Sequence, residues 1–462
     1  MKPPSEALEA FALRAHHYGR ISGVSVAVHA IADGFHLLHT GVGCKYKAAA
    51  QISTHDWARQ PHRREGWTEV GDAALIRGAA ARIGPYVRSW YDRQRPGLIV
   101  VSSTAFLEMT GEDIAGAVRQ ADETVPCPVR YVPGSGFDGD LYDGYRDVLR
   151  TVLDLIPWDQ TEPEHGRVAV VGYLFDRYES DHSANVHQLR TLLRELGLNL
   201  EAVLFGGQPL ASLMRAARAE TLVVLPYAYG LESALRATGR RVIHTDLPVG
   251  VRGTTAWLEQ VGRTSGVPET KVADVTRRLA RYTRQELELL RNRVVGVRSA
   301  VFAEAPLAAG FCDLLDEVDM PPALVGIRGR SLGDDADLAA ALTRIGAPLR
   351  PDATVLTDPS YRLVRRALLD AIATRRVSAA VGSAAELSDL SQGKVRERLR
   401  DHLDASGIGG DLGAGQDIRF APLIACFPAT GFHALHPQPT FGFGGAVAIA
   451  QRLLDGLYSG RS

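Results

Sequence analysis

The sequence predicts an α/β protein of three successive Rossmann-like domains, each a parallel sheet flanked by helices. Short β-branched runs alternate with long amphipathic stretches from end to end, the pattern of strands buried on both faces and joined by helical crossovers. At 462 residues the chain is too long for a single hydrophobic core. Two polar stretches divide it: "TEPEHG" at 161–166, and the residues near 292–298 that follow the charged helix "KVADVTRRLARYTRQELELLRNR". Domains are therefore expected at 1–165, 166–295 and 296–462, the last closing with a C-terminal helix.

In the first segment, strands are expected at 24–30, where valines alternate in "ISGVSVAV", at 98–103 in the apolar run "GLIVVSSTAF", and at 128–132 in "PVRYV". The second should hold strands at 167–172, 201–205, 221–226 and 241–245, led by "RVAVVGY" and "TLVVLPYAYG". In the third they fall at 299–303, 323–327, 353–357, 377–382 and 419–425. Helix-length segments separate most of these runs, and there is no short-period repeat or low-complexity tract.

Composition narrows the function. A net charge of -1 gives no bulk electrostatic reason to expect nucleic acid or an anionic membrane as partner. The longest apolar runs fall well short of the roughly 20 residues that span a bilayer. The polar start "MKPPSEALEAFALRAHHYGR" carries no apolar signal core, so a cytoplasmic location is expected. The four cysteines, Cys44, Cys127, Cys312 and Cys426, are widely spaced with no C-x-x-C pair. That argues against a disulfide framework and against a zinc site built from this chain alone.

Few local patterns carry chemistry. In "GSGFDG", Gly134, Gly136 and Gly139 have the spacing of a dinucleotide loop, but Asp138 and Asp140 would repel phosphate. Asp138, Asp140 and Asp143 suggest a calcium loop without its closing glutamate, so a solvated turn is the better expectation. "SQGKVRE" lacks the first glycine and the final Ser/Thr of a Walker A loop, so this chain is expected to bind no nucleotide. His55, His62, His433 and His436 have no metal-motif spacing and read as surface or supporting residues. There is no G-x-S-x-G elbow.

Cys44 in "HTGVGC" is different. Gly41 and Gly43 permit a sharp turn and leave room for a bulky inorganic group, while Lys45 and Lys47 would favour a thiolate or an anionic cluster. Metal ligation and simple packing both remain open for it.

Several segments together resemble component 1 of nitrogenase and its relatives, which include the dark-operative protochlorophyllide and chlorophyllide reductases and the scaffold for nitrogenase cofactor assembly. "HTGVGCKY" is similar to the family's H-G-x-x-G-C-x-x corner, and "VVSSTAFLEMTGEDIAGAV" (100–118) to its STCxxExxGDD segment. "VPGSGFDGDLYDGYRDVL" resembles the loop and helix closing the first domain. "TDLPVGVRGTTAWLEQV" looks like the P-x-G-x-x-x-T element of the second, and "FPATGFHALHPQPTFGFGGAVAIAQRLLDGL" like the C-terminal segment. The likeness covers nearly the whole chain in the right order.

The resemblance implies that Gly134, Gly136 and Gly139 shape a wall facing an iron–sulfur cluster rather than hold NAD. Full members place three cysteines per subunit around a cluster at a subunit interface. Here only Cys44 stands at such a position; the first falls at about Gly19 and the third at Ala105. Since a [4Fe–4S] cluster usually takes four protein ligands, the resemblance implies a homologous alpha-like subunit supplying three cysteines. This chain would be the beta-like member of an α2β2 assembly, with Cys44 as ligand and Gly41 and Gly43 giving it room. A separate ATP-hydrolysing iron–sulfur protein would deliver electrons for a small-molecule or metallocofactor substrate. His39 and Glu108, in the same two motifs, are candidates for proton handling or for support around the cluster, Glu108 also for bonding loop backbone. Two other readings stay open: a scaffold subunit for metallocluster assembly, and a cluster-free binding or regulatory homologue. The segment 48–72, with three arginines and two tryptophans, would line a pocket or docking face, or be a solvated insertion.

Overall fold

The computed structural model describes residues 19–43, 64–134, 139–173, 181–328, 335–387, 390, 392–406, 420–425 and 438–458. Three wholly parallel sheets follow one another along the chain. The first is built from β1 (Gly34–His39), β2 (Glu65–Trp67), β3 (Leu98–Ser103) and β4 (Val129–Tyr131) in the order β2-β1-β3-β4. The second has β5 (Glu164–Val171), β6 (Asn199–Val203), β7 (Ala219–Val224) and β8 (Arg241–His244) in the order β6-β5-β7-β8. The third has β9 (Ser299–Glu304), β10 (Pro322–Arg328), β11 (Thr354–Thr357), β12 (Ala379–Gly382) and β13 (Ala421–Ile424) in the order β11-β10-β9-β12-β13.

The longer helices cover these sheets. They are α1 (Arg20–His29), α2 (Ile83–Gln94), α3 (Ile114–Asp122), α4 (Leu141–Leu155), α5 (His182–Glu195), α6 (Gly250–Thr264), α7 (Glu269–Arg291), α8 (Ala305–Glu317), α9 (Asp335–Gly346), α10 (Tyr361–Ala373), α11 (Gln392–Ser406) and α12 (Gly442–Tyr458). The central strands β1, β3 and β9 are buried along their whole length.

One expected strand is a helix. Residues 24–30 belong to α1, not to the sheet, and the first strand of the chain is instead "GFHLLH" at Gly34–His39. The cause is a close approach. Gly23 lies against the Leu141 carbonyl and Gly144 against the Arg20 carbonyl, so α1 and α4 cross with their backbones in contact. The buried set Gly23, Val24, Ala27 and Val28 then follows helical spacing, which overrides the alternation of the valines. A second difference lies in "TEPEHG", whose last three residues already belong to β5.

The aspartates of the glycine-rich loop also have a definite role. Asp140 and Asp143 form a reciprocal capping box at the start of α4: Asp140 Oδ1 accepts the Tyr142 amide at 2.8 Å and Asp143 Oδ2 accepts the Asp140 amide at 2.8 Å. They begin a helix rather than form a solvated turn. Asp138 lies outside the described residues.

The three sheets share a continuous apolar core. Polar ties add to it. The Gly207 amide donates to Ala30 O and the Ala32 amide to Gln208 O, both at 2.9 Å, joining the first unit to the second. Glu317 at the end of α8 accepts the Val251 and Arg252 amides at 2.8 and 2.6 Å, capping α6 from the third unit. α12 packs on α5, α6 and α7 as well as on β13. Asn185 Oδ1 holds the segment before it by accepting the Thr440 and Phe441 amides.

Candidate functional site

Open parallel sheets bind their ligands outside the carboxyl ends of the strands, where the strand order reverses. In the first sheet that point lies between β1 and β3. β1 runs to one side toward β2, and β3 to the other toward β4. The two strands end level, with His39 opposite Ser103, and the Thr104 amide donates to His39 O at 3.2 Å. Thr40 and Gly41 continue from β1, Gly41 bridging to Val70. Thr104 opens the short helix Ala105–Glu108. Gly134, after β4, closes against the Ser103 carbonyl and the Ile21 side chain, which brings the start of α1 to the same end of the sheet.

The fold thus collects most of the residues singled out in the sequence. His39, Gly41, Ala105, Glu108 and Gly134 meet at this switch point, beside the N-terminal end of α1 that Gly19 caps. Among the described residues, a Cβ on Gly19 would meet nothing within 4 Å, and the same holds at Gly43. A Cβ on Gly41 would stand 3.6 Å from Val70 O and 4.0 Å from the Phe106 ring. Cys44, Lys45, Lys47, His55, His62, Gly136, His433 and His436 lie outside the described residues, as does Cys426. Of the segment 48–72, the described end supplies β2 and the first residue of the helix Asp72–Arg77. The other two cysteines, Cys127 and Cys312, are buried free thiols, and burial pushes the Cys127 thiol up to about 11.

His39 is 1% exposed. Its Nδ1 lies 2.9 Å from Thr68 Oγ1, which also accepts the Thr40 amide at 3.2 Å. The Thr68 hydroxyl thus bonds both the end of β1 and the His39 ring. Burial lowers the His39 pKa to about 4, Glu112 opposing and Arg82 assisting. Burial therefore favours the neutral ring near neutral pH.

Glu108 bonds loop backbone and more. Its Oε1 accepts Ser103 Oγ at 2.6 Å and the Gly134 amide at 3.2 Å, and Tyr131 OH lies 2.7 Å from the same Ser103 Oγ. The roles of Ser103 and Tyr131 were not visible in the sequence. The one available signal was the hydroxyl run "SST" at the end of an otherwise apolar strand. Thr104 belongs to that run: it is 8% exposed, and its Oγ1 has no hydrogen-bond partner among the described residues.

Behind the site, on the other face of the sheet, a second polar row was also missed. His36 Nδ1 is 3.1 Å from Glu65 Oε1 and His36 Nε2 is 2.5 Å from Ser102 Oγ. The order resembles a serine hydrolase triad, but Ser102 is fully enclosed and meets no substrate. The row ties β2, β1 and β3 together beneath their carboxyl ends.

Around the opening the surface turns apolar. Val42, Phe106 and Met109 are 48%, 47% and 67% exposed.

Three successive all-parallel α/β units, with a strand-order switch point in the first, define the class of protein: a multidomain open-sheet α/β chain. The chain belongs to the nitrogenase component 1 type oxidoreductase family, whose model matches residues 20–458. It is 24% identical over 281 residues to a light-independent protochlorophyllide reductase chain of Heliobacterium modesticaldum, covering 59% of this chain and 53% of that protein's length. It is 21% identical to the nitrogenase molybdenum-iron protein beta chain of Azospirillum brasilense, covering 94% of this chain and 81% of that one. It is also 21% identical to the nitrogenase iron-molybdenum cofactor biosynthesis protein NifE of Clostridium pasteurianum, over 72% of each. The solved structure of nitrogenase Cp1 at pH 5 has the same fold, with a TM-score of 0.69 at 14% identity over 97% of this chain and 89% of that chain.

The described residues leave space for an inorganic group at the switch point but do not themselves hold one. Among the described residues no group of three or more His, Cys, Asp or Glu side chains could hold a metal ion. The space is there at Gly19 and Gly43, and the Thr104 hydroxyl, without a partner among the described residues, is a spare donor at the same strand ends.

Proposed function

We propose that this chain is the beta-like subunit of a nitrogenase-like iron–sulfur oxidoreductase, working in the cytoplasm with a homologous alpha-like chain. Cys44 would give one thiolate to a [4Fe–4S] cluster, and the partner three. The observation that carries this is the combination, at one switch point, of space at Gly19 and Gly43 among the described residues and the exposed apolar side chains of Val42, Phe106 and Met109. A site with room and one thiol, edged by apolar surface, is suited to completion by a second chain.

When bound, the cluster would supply one-electron storage between an ATP-dependent iron–sulfur reductase protein and the substrate. This chain's own residues have other tasks. Gly41 and Gly43 leave the approach to Cys44 unobstructed, and Gly136 would line the facing wall. His39, neutral and bonded to Thr68, holds the end of β1 to the turn after β2. Phe106 and Val42 exclude water once covered, which strengthens electrostatic interactions inside.

The test is co-expression with a homologous three-cysteine chain under anoxic conditions. Iron bound only by the co-expressed pair, in a 1:1 chain ratio, supports the assignment. Full cluster content in this chain purified alone contradicts it. The relatives include reductase chains and a cofactor biosynthesis protein, and turnover with reductant and ATP distinguishes a catalytic complex from an assembly scaffold.

A further inference from the structure

α7 carries a surface that the fold of one chain does not use. Its inward face, with Val272, Val275, Thr283, Leu287 and Leu290, repeats at helical spacing, and the helix packs on α6 and α12. On its outward face Tyr282 is 64% exposed and Leu289 is 71% exposed. One exposed leucine needs no explanation. These two, however, stand seven residues apart, which places them on one stripe of the helix about 10 Å apart along its axis.

Arg281 and Glu288 repeat the same spacing, each directly preceding one of the two apolar residues. Both are exposed, and neither side chain has a hydrogen bond or ion pair with a described residue. Both pairs have their midpoint at about Gln285. A twofold axis there, with a second α7 running antiparallel, sets Tyr282 beside Leu289 of the second copy and Arg281 beside its Glu288, and the symmetry makes each contact twice. The stripe is therefore complementary to itself in apolar and in charged groups. A purely acidic partner would be repelled at Glu288.

We propose that α7 is the seam through which two copies of this chain associate. At 23 residues the helix is about 34 Å long, enough to form the spine of an interface of standard size. The inference goes beyond the reading of the cluster site. Neither iron nor Cys44 enters it, so the two fail or stand separately.

The experiment is mass determination by light scattering on the full chain, alone and in complex with its partner chain. Wild type is compared with Tyr282→Glu combined with Leu289→Glu, with Arg281→Glu, with Glu288→Arg, and with the two charge reversals together, and thermal melts confirm that each is folded. Wild type is expected to contain two copies of this chain in both samples, and the double apolar replacement one. Each single reversal opposes like charges at both symmetry-related contacts and should weaken dimerisation about tenfold, and the combined reversal should restore it. A wild type holding one copy in both samples overturns the proposal. So does a dimer that the double apolar replacement leaves intact, or a combined reversal no tighter than the single ones. Release of the partner chain, rather than of the second copy, by the same substitutions would assign the face to that chain and overturn the proposal as well.

Discussion

The Thr68 hydroxyl stands 2.9 Å from His39 Nδ1, across 29 residues of sequence, and anchors a buried imidazole to the turn after β2. With a folded pKa of about 4 against 6.5 for the free side chain, native His39 binds fewer protons than the unfolded chain between those values. Stability is therefore fully present above pH 6.5 and falls as the pH drops toward 4. His182, lowered to about 4 by burial, acts in the same direction. Asp181, Asp147, Asp313 and Glu317, all raised by burial, act in the opposite one. Replacing His39 by Gln should remove about 2 kcal/mol of the stability difference between pH 7 and pH 5. Urea unfolding of both proteins at the two pH values measures it. Identical pH dependence would mean that folding does not lower the His39 pKa.

The crossing of α1 and α4 should be intolerant of a single methyl group. Gly23→Ala would drive Cβ into the Leu141 carbonyl, and Gly144→Ala into that of Arg20; neither obstacle is a flexible side chain. Each should cost about 3 kcal/mol through forced separation of the helices. A thermal melt within about 1 kcal/mol of wild type would show that the helices do not cross in contact.

The row Glu65–His36–Ser102 should behave as a unit. His36→Leu leaves the Glu65 carboxylate buried without its partner, a loss of about 3 kcal/mol, whereas His36→Leu with Glu65→Leu recovers much of it. Ser102→Ala removes one hydrogen bond and should cost about 1 kcal/mol. Equal destabilisation by the single and double leucine variants would remove the basis for a mutually dependent pair.

The continuous apolar strand at Leu98–Ser103 was legible in the sequence because both its faces are buried, so the residues alone suffice. β1 was not, because His36 and His39 interrupt its apolar run. They are tolerated inside only through Glu65 and Thr68, each 29 residues away, and Ser102, 66 away. α1 was hidden for a related reason: Val24, Val26 and Val28 alternate like a strand, and only contact with α4 makes the helical spacing the one that matters. At the site, Glu108 and the glycines could be read from motifs, whereas Tyr131 could not, since its bond to Ser103 crosses 28 residues. Sequence patterns report local burial; they do not report which distant group completes a buried hydrogen bond.

The space beside the switch point predicts tolerance. Gly19 lies in extended backbone with nothing near its Cβ position, so Gly19→Cys, alone or with Ala105→Cys, should leave thermal stability within about 1 kcal/mol of wild type. The double variant, with thiols at all three family positions, should take up iron during anoxic reconstitution when wild type alone does not. Failure of the double variant to bind iron while remaining folded would place the cluster elsewhere.

The central claim, that Cys44 is this chain's single ligand to a shared cluster, is tested most directly by iron content and low-temperature EPR. Both are measured on the anoxically purified complex with its partner chain, for wild type and Cys44→Ala. The account predicts a reducible cluster signal in wild type that is lost or altered in Cys44→Ala while the two chains remain associated. An iron-free complex in both, or an unchanged signal in the variant, would contradict it.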